Sequence, residues 1–456
     1  MSDIAARIDR LPASRFVRGM VTRISITAMF EAYDIFMIAY IAVGLIKGGI
    51  FQPTTPSFFD VNGIASFIGA GFAGMFFGTL IFTWVSDMFG RRTTLAISVV
   101  WYSIATAVMA FGQSPAEIDL WRFVAGLGIG VQLITVDAYI SELVPAASRG
   151  RNIALLFVIA NLSVPLAAAF AMLFVPNAYF GLDGWRIVVL IGSSGLVLIW
   201  PLLHGLLESP RWLAARGRND EAETAMKTIE QGVARESQKS LPAPAPVRQS
   251  AASGGARWSD IWSGKYAGRT LLLSLFNLCN TVGFYGFAAW VPTLLTSEGI
   301  TVPKTLQYVF IMALMNPLGP LFAMKFADRV ERKWQITALS ILIAACGILW
   351  SFQRDAVGII CFGALVTIGL NWFVAAFHAY QAELFPTRIR ARAVGFVYCW
   401  SRFSAIFVGF VIAMILRGYG TLGVFSLIAA AMLIIAVIIG VFGPLTNGRR
   451  LEELSE

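Results

Sequence analysis

The chain has 456 residues, 57% of them hydrophobic and 13% charged, with a mean hydropathy of +0.72 and a net charge of +9. That balance excludes a soluble globular protein, and the lack of alternating ~10-residue strands excludes a transmembrane β-barrel. The basic excess belongs to loops on one side of a membrane, so nucleic acid is not expected as a partner.

The first sixteen residues, MSDIAARIDRLPASRF, are polar and charged, and the first apolar run starts only after Arg23. No cleavable signal peptide is expected. Runs long enough to cross a ~30 Å hydrocarbon core then recur along the chain. They lie at 22–46, 61–86, 93–113, 117–144, 152–176, 185–206, 270–295, 305–327, 335–352, 356–385, 393–416 and 420–444. With both termini cytoplasmic, 28 of the 35 Lys and Arg residues fall on the inner side. Only Lys47, Arg186, Lys304, Arg354 and Arg417 fall outside, Arg122 and Arg402 lie within spans, and that bias sets the orientation. The expected fold is an all-α membrane protein with twelve transmembrane helices in two six-helix bundles.

The longest gap divides the chain into an N-terminal bundle (1–206), a cytoplasmic linker (207–268) and a C-terminal bundle (269–456). The linker opens with a charged stretch, ESPRWLAARGRNDEAETAMKTIEQGVARESQK, that reads as one or two amphipathic helices. LPAPAPVRQSAASGGA has almost no core-forming residues and is expected to stay disordered. RWSDIWSGKYAGRT then offers Trp258, Trp262 and Tyr266 to the headgroup level. Cys279, Cys346, Cys361 and Cys399 sit in apolar runs without metal-site spacing.

The two halves repeat. YISELVPAASRGR from Tyr139 and YQAELFPTRIRAR from Tyr380 share one pattern, 241 residues apart. Asp87-Met-Phe-Gly-Arg-Arg92 and Asp328-Arg-Val-Glu-Arg-Lys333 share the same offset. A duplicated six-span unit is a transporter architecture, with substrate held between the halves near the midplane.

Polar groups inside the spans point to that substrate site. Glu31 and Asp34 share a helix face at i, i+3 spacing. Asp34 lies eleven residues past Arg23, roughly 16 Å deep. An acid there costs at least ~2.5 kcal/mol on insertion, so it should face a polar cavity and be able to exchange a proton. The matching positions of the second half are Asn277 and Asn280. The repeat likewise matches Asp137 with His378 and Asn161 with Arg402. Arg402, about 15 Å past Arg392, needs an anion: Asp34, Glu31, Asp137 or a substrate carboxylate. The plainer alternative is that neighbouring helices satisfy these groups. Arg122, at the start of span 4, is expected near the outer surface, in a structural role or as part of an outer network. Tyr33 and Tyr285 are the best candidates for an aromatic pocket wall, before Tyr40, Trp290 and Trp372.

Several motifs resemble the major facilitator superfamily. SDMFGRRTT resembles its signature between spans two and three, although Thr83 and Met88 depart from the usual Gly and Arg, and Glu331 from the Gly of the second-half copy. RFVAGLGIG with SELVPAASRGR, and ESPRWLAARGR, resemble its sugar-and-metabolite porters. Span seven lacks the glutamines of sugar porters, and GFYGFAAWVPTLL with AELFPTRIRA is similar to organic-ion and aromatic-acid porters. FEAYD resembles the D-G-x-D signature of aromatic acid:proton symporters, with Glu31 for the first Asp. The resemblance implies a cytoplasmic gating network of Asp87, Arg91, Arg92, Glu142, Arg149, Arg151, Asp328, Glu383 and Arg390, pairing between bundles.

The expected function is proton-coupled uptake of a small organic anion, a carboxylate, by alternating access in a bacterial inner membrane. Asp34, Glu31 and Asp137 would handle protons; Arg402, Asn277, Asn280, Tyr33, Tyr285 and His378 would bind substrate. A sugar or neutral-metabolite porter is the alternative, with cation or drug efflux behind it and a non-transporting sensor last. No enzymatic constellation, cofactor or metal site is expected. The expected partners are substrate, protons and the lipid bilayer, with the chain a monomer.

Overall fold

The computed structural model describes residues 2–145, 148–237, 241–242, 258–326, 329–385 and 387–446. The expectations for Asp328, for most of the 241–256 segment and for the side chains of Arg390 and Trp258 lie outside the described residues.

Span 1 is Arg15–Lys47. It starts well before the apolar run because its first turn is capped twice. Ser14 Oγ accepts from the Val17 N–H at 3.2 Å, and the Glu236 carboxylate accepts from the N–H groups of Arg15 and Phe16 at 2.7 and 3.1 Å. Spans 2 to 4 are Ile64–Phe89, Arg91–Met109 and Pro115–Leu143. Span 5, Arg149–Phe174, is two helices meeting at Leu162, and span 6 is Gly184–Leu203. A two-stranded hairpin, Ala178–Tyr179 with Leu182–Asp183, joins them, a small addition to the expected all-α fold.

In the second half, span 7 is Gly264–Ala288, continued after a turn by Val291–Ser297. Span 8, Val302–Phe326, is interrupted between Ala313 and Leu318, where Pro317 removes a backbone donor. Spans 9 and 10 are Arg332–Ser351 and Ala356–Glu383. The remaining helix, Thr387–Val437, is two crossings, because Gly420 at φ 64° turns the chain in a conformation that favours glycine. The eleven long apolar helices among the described residues thus make twelve crossings.

Lipid supplies no hydrophobic drive between helices, so close packing of small residues has to hold the bundles together. Spans 2 and 4 meet along a glycine seam. A methyl at Gly126 would lie 2.5 Å from the Gly71 carbonyl oxygen, and one at Gly74 would strike the Phe123 carbonyl. No larger residue fits there without separating the helices.

The linker provides two helices, Pro210–Ala215 and Asn219–Ser237. The second carries the N-terminal helix Ser2–Asp9 on its acidic side. Arg7 reaches Glu223 at 2.5 Å and Glu230 at 2.7 Å, and Arg10 reaches Glu230 at 2.5 Å. We call the side bearing the linker and the chain ends the terminal face.

The halves meet toward the opposite face. Phe58 and Phe59, in the loop between spans 1 and 2, pack on Phe410 of span 11 with ring centroids 5.7 and 5.3 Å apart. Deeper in, Phe36 meets Phe284 and Phe72 meets Tyr285 at 6.3 and 4.4 Å.

Candidate functional site

Asp34 of span 1 is sealed from solvent, and so is the partner it finds. Arg122 of span 4 donates from Nη1 to Asp34 Oδ2 at 2.5 Å and from Nη2 to the Asp34 carbonyl oxygen at 3.1 Å. Thr106 of span 3 donates to Oδ1 at 2.8 Å. Gly71 makes the room, since a methyl there would lie 2.8 Å from Arg122 Nε. This corrects the placement of Arg122 near the outer surface. Its helix starts at Pro115, seven residues earlier, which puts Arg122 about 10 Å inside before its long side chain reaches further.

Arg402 of span 11 stands in the other half and has no carboxylate partner among the described residues. It donates to the phenol oxygens of Tyr285 and Tyr398, both at 3.1 Å, and its guanidinium lies 5.2 Å over the Tyr398 ring. Of the anions weighed for Arg402, Asp34 is taken instead by Arg122 within the N-terminal bundle. Tyr398 precedes Arg402 by four residues, so helical spacing alone could have nominated it.

Glu31 is 3% exposed, and its carboxylate makes no hydrogen bond or ion pair among the described residues. It lies within Coulombic reach of Asp137, Arg402 and Asp34. Asp137 of span 4 is exposed although it lies within its span, so it borders open space between the halves. His378 of span 10 lies against Phe157 of the other half, ring centroids 6.3 Å apart, and against Tyr398 at 5.8 Å. Gln381 Nε2 is 3.3 Å from its Nδ1. The structure thus gathers Glu31, Asp137, Arg402, Tyr285, Tyr398 and His378 around one region.

Other candidates stand apart. Tyr33 donates to the Val188 carbonyl at 3.1 Å and fills the space over Gly192, so it packs inside the N-terminal bundle rather than walling the central region. Asn277 donates to the Leu273 carbonyl of its own helix at 2.9 Å. The side-chain oxygens of Asn277 and Asn280 are buried without a partner among the described residues. Trp372 donates to Gln335 at 3.0 Å and stacks on Phe326 within the C-terminal bundle. Tyr40 lines a small apolar cleft with Phe36, Phe284 and Asn371.

At the terminal face, Arg91 pairs with Asp87 at 2.7 Å and Glu142 at 2.9 Å. The N–H groups of Arg91 and Arg92 donate to the Glu208 carboxylate at 2.9 and 3.1 Å. Arg332 pairs with Glu383 at 3.0 Å. The side-chain ion pairs each stay within one half, and Glu208 comes from the linker, unlike the expected pairing between bundles. Glu142 chooses Arg91 over Arg149 and Arg151, and Arg149 Nε is buried without a partner among the described residues.

Residues 20–456 match the family model of the sugar (and other) transporters. The chain is 30% identical to the inner membrane metabolite transport protein YdjE of Escherichia coli, covering 99% of this chain and 98% of that protein. It is 30% identical to the niacin transporter NiaP of Acinetobacter baylyi, covering 99% of each. Among solved structures it resembles the partially occluded, inward-open xylose transporter XylE of E. coli, with a TM-score of 0.76 and 18% identity over 96% of this chain and all of that one.

Proposed function

Because this chain belongs to the sugar (and other) transporter family of the major facilitator superfamily, and is an integral membrane transporter rather than an enzyme, we propose that it carries a small organic carboxylate by proton-coupled symport. The observation that carries the reading is the division of charge between the halves. One half holds a closed Asp34–Arg122 pair; the other holds Arg402 on neutral phenols alone.

A buried ion pair is held together at a desolvation cost of several kcal/mol per ion, so it is sensitive to the loss of either charge. Protonating Asp34 leaves Arg122 unpaired and the pair free to rearrange. Arg402, with a planar fork of donors, suits a carboxylate, and its phenol partners can yield to an anion without leaving a charge behind. Tyr285 and Tyr398 hydrogen-bond around the bound carboxylate, and His378 borders it. In this conformation the contacts toward the opposite face close the path there, and we read the state as open toward the terminal face, which we place in the cytoplasm of a bacterial inner membrane. The gating pairs found within each half exchange partners across the halves when that face closes.

Niacin, named for one 30% identical relative, is a small aromatic carboxylate and supports the substrate class. The fold likeness to a xylose transporter keeps a sugar as the second reading. The test is transport current from proteoliposomes on a solid-supported membrane, with aliphatic and aromatic carboxylates set against neutral sugars. Currents from carboxylates that need a proton gradient support the proposal. Currents from sugars alone, unchanged in Arg402→Gln, refute it.

A further inference from the structure

Asp34 and Arg122 neutralise one another, so three ionisable groups remain around the central region: Glu31, Asp137 and Arg402. Arg402 rests on two neutral oxygens. Glu31 is buried with no donor, and Asp137 makes no hydrogen bond or ion pair among the described residues. A buried carboxylate without a donor is costly, and a ligand that brings the donor removes the cost. Acceptors are in surplus nearby as well. The side-chain oxygens of Gln132 and Gln381 are buried without partners among the described residues, their amide nitrogens being turned to the Thr27 carbonyl and to His378.

A simple monoanion therefore fits poorly. Seated on Arg402, it would leave the Glu31 and Asp137 carboxyl groups still without a donor, and either one, if ionised, would repel it. We infer that the substrate is a small zwitterion, whose carboxylate takes Arg402 and whose cationic nitrogen takes Glu31, with Asp137 beside it. This rests on the reading of Arg402 as a carboxylate site and narrows the substrate class. It fits the placement of the two poles. Glu31 is on span 1 and Arg402 on span 11, so one such molecule touches both halves and draws them together as they rock. Its own charges cancel, and the two protein charges it meets are each paired.

The test is binding to the full chain purified in detergent, read by isothermal calorimetry with matched probes: benzoate against 3-(aminomethyl)benzoate, butyrate against 4-aminobutyrate, and benzylamine alone. The expected result is that the amino acid of each pair binds about tenfold tighter than its parent acid. Glu31→Gln is expected to abolish that preference and, with one of the two carboxyl groups gone, to tighten the parent acids severalfold, and Asp137→Asn to reduce the preference. If the parent acids bind as tightly as their amino partners, or the preference survives in both variants, the zwitterion inference is overturned and the carboxylate site stands. If benzylamine binds as well as either amino acid and Arg402→Gln changes nothing, the carboxylate reading itself fails. Absence of binding by every carboxylate overturns both.

Discussion

Arg122 reaches across from span 4 to within 2.5 Å of Asp34 in span 1, and neither side chain is accessible to solvent. Two opposite charges so placed are not independent. Removing either one leaves the other buried and unpaired, at a cost of about 3–5 kcal/mol, whereas replacing both with apolar residues of similar size is close to neutral. Asp34→Leu and Arg122→Met are each expected to lower the thermal unfolding midpoint in detergent, and the double variant to recover most of the loss. Additive losses in the double variant would mean that the two residues do not act as a pair.

Arg402 makes a different prediction. Tyr285→Phe and Tyr398→Phe each remove one hydrogen bond of roughly 1 kcal/mol and are expected to weaken substrate binding only severalfold. Arg402→Lys keeps the charge but loses the planar fork, so carboxylate affinity should fall further than in either Phe variant. Titration of a transported carboxylate against the three variants decides it; equal affinities throughout would remove Arg402 from the site.

The glycine seam sets a structural limit. At Gly126 and Gly74 an added side chain meets the backbone of the facing helix. Gly126→Val is expected to abolish folded, monodisperse protein in size-exclusion chromatography. Gly150→Ala, where nothing among the described residues lies within 4 Å, is expected to be neutral. Normal folding of Gly126→Val would show that spans 2 and 4 do not pack this closely.

At the terminal face, burial raises the Glu230 carboxyl, but hydrogen bonds from Arg7 and Arg10 outweigh it and hold the group below its ordinary value of 4.5. A depressed carboxylate contributes stability above its unfolded value and loses it as the pH falls through the folded one. Docking of Ser2–Asp9 on the linker helix should therefore be constant above pH 4.5 and weaken progressively below it. Glu230→Gln should release the segment at neutral pH. Amide exchange over Ile4–Arg10 reads both effects, and protection unchanged in the variant would assign the docking to apolar contacts instead.

The sequence disclosed the architecture through physical constraints that are local or periodic. Span length, basic-residue placement and the 241-residue repeat need no knowledge of contacts. What they missed depends on tertiary packing. The breaks within spans 5, 7 and 8 interrupt the helices without interrupting their hydropathy. Asp34 was legible as an acid too deep to be idle, but its partner was not. The repeat that matches Asp137 with His378 matches Arg122 with Gly363, so the symmetry that led to Arg402 was silent about Arg122. Tyr33 misled because its spacing beside Asp34 says nothing of direction, and its ring turns to span 6.

Coupling of protons to carboxylate movement through Asp34 is the central claim. The direct measurement compares substrate-driven current with substrate exchange in proteoliposomes, for wild type and Asp34→Asn. The account predicts that wild type gives both, and that Asp34→Asn loses proton-driven accumulation and current while retaining exchange. Full proton-driven accumulation by Asp34→Asn would contradict it and move the proton to Glu31 or Asp137.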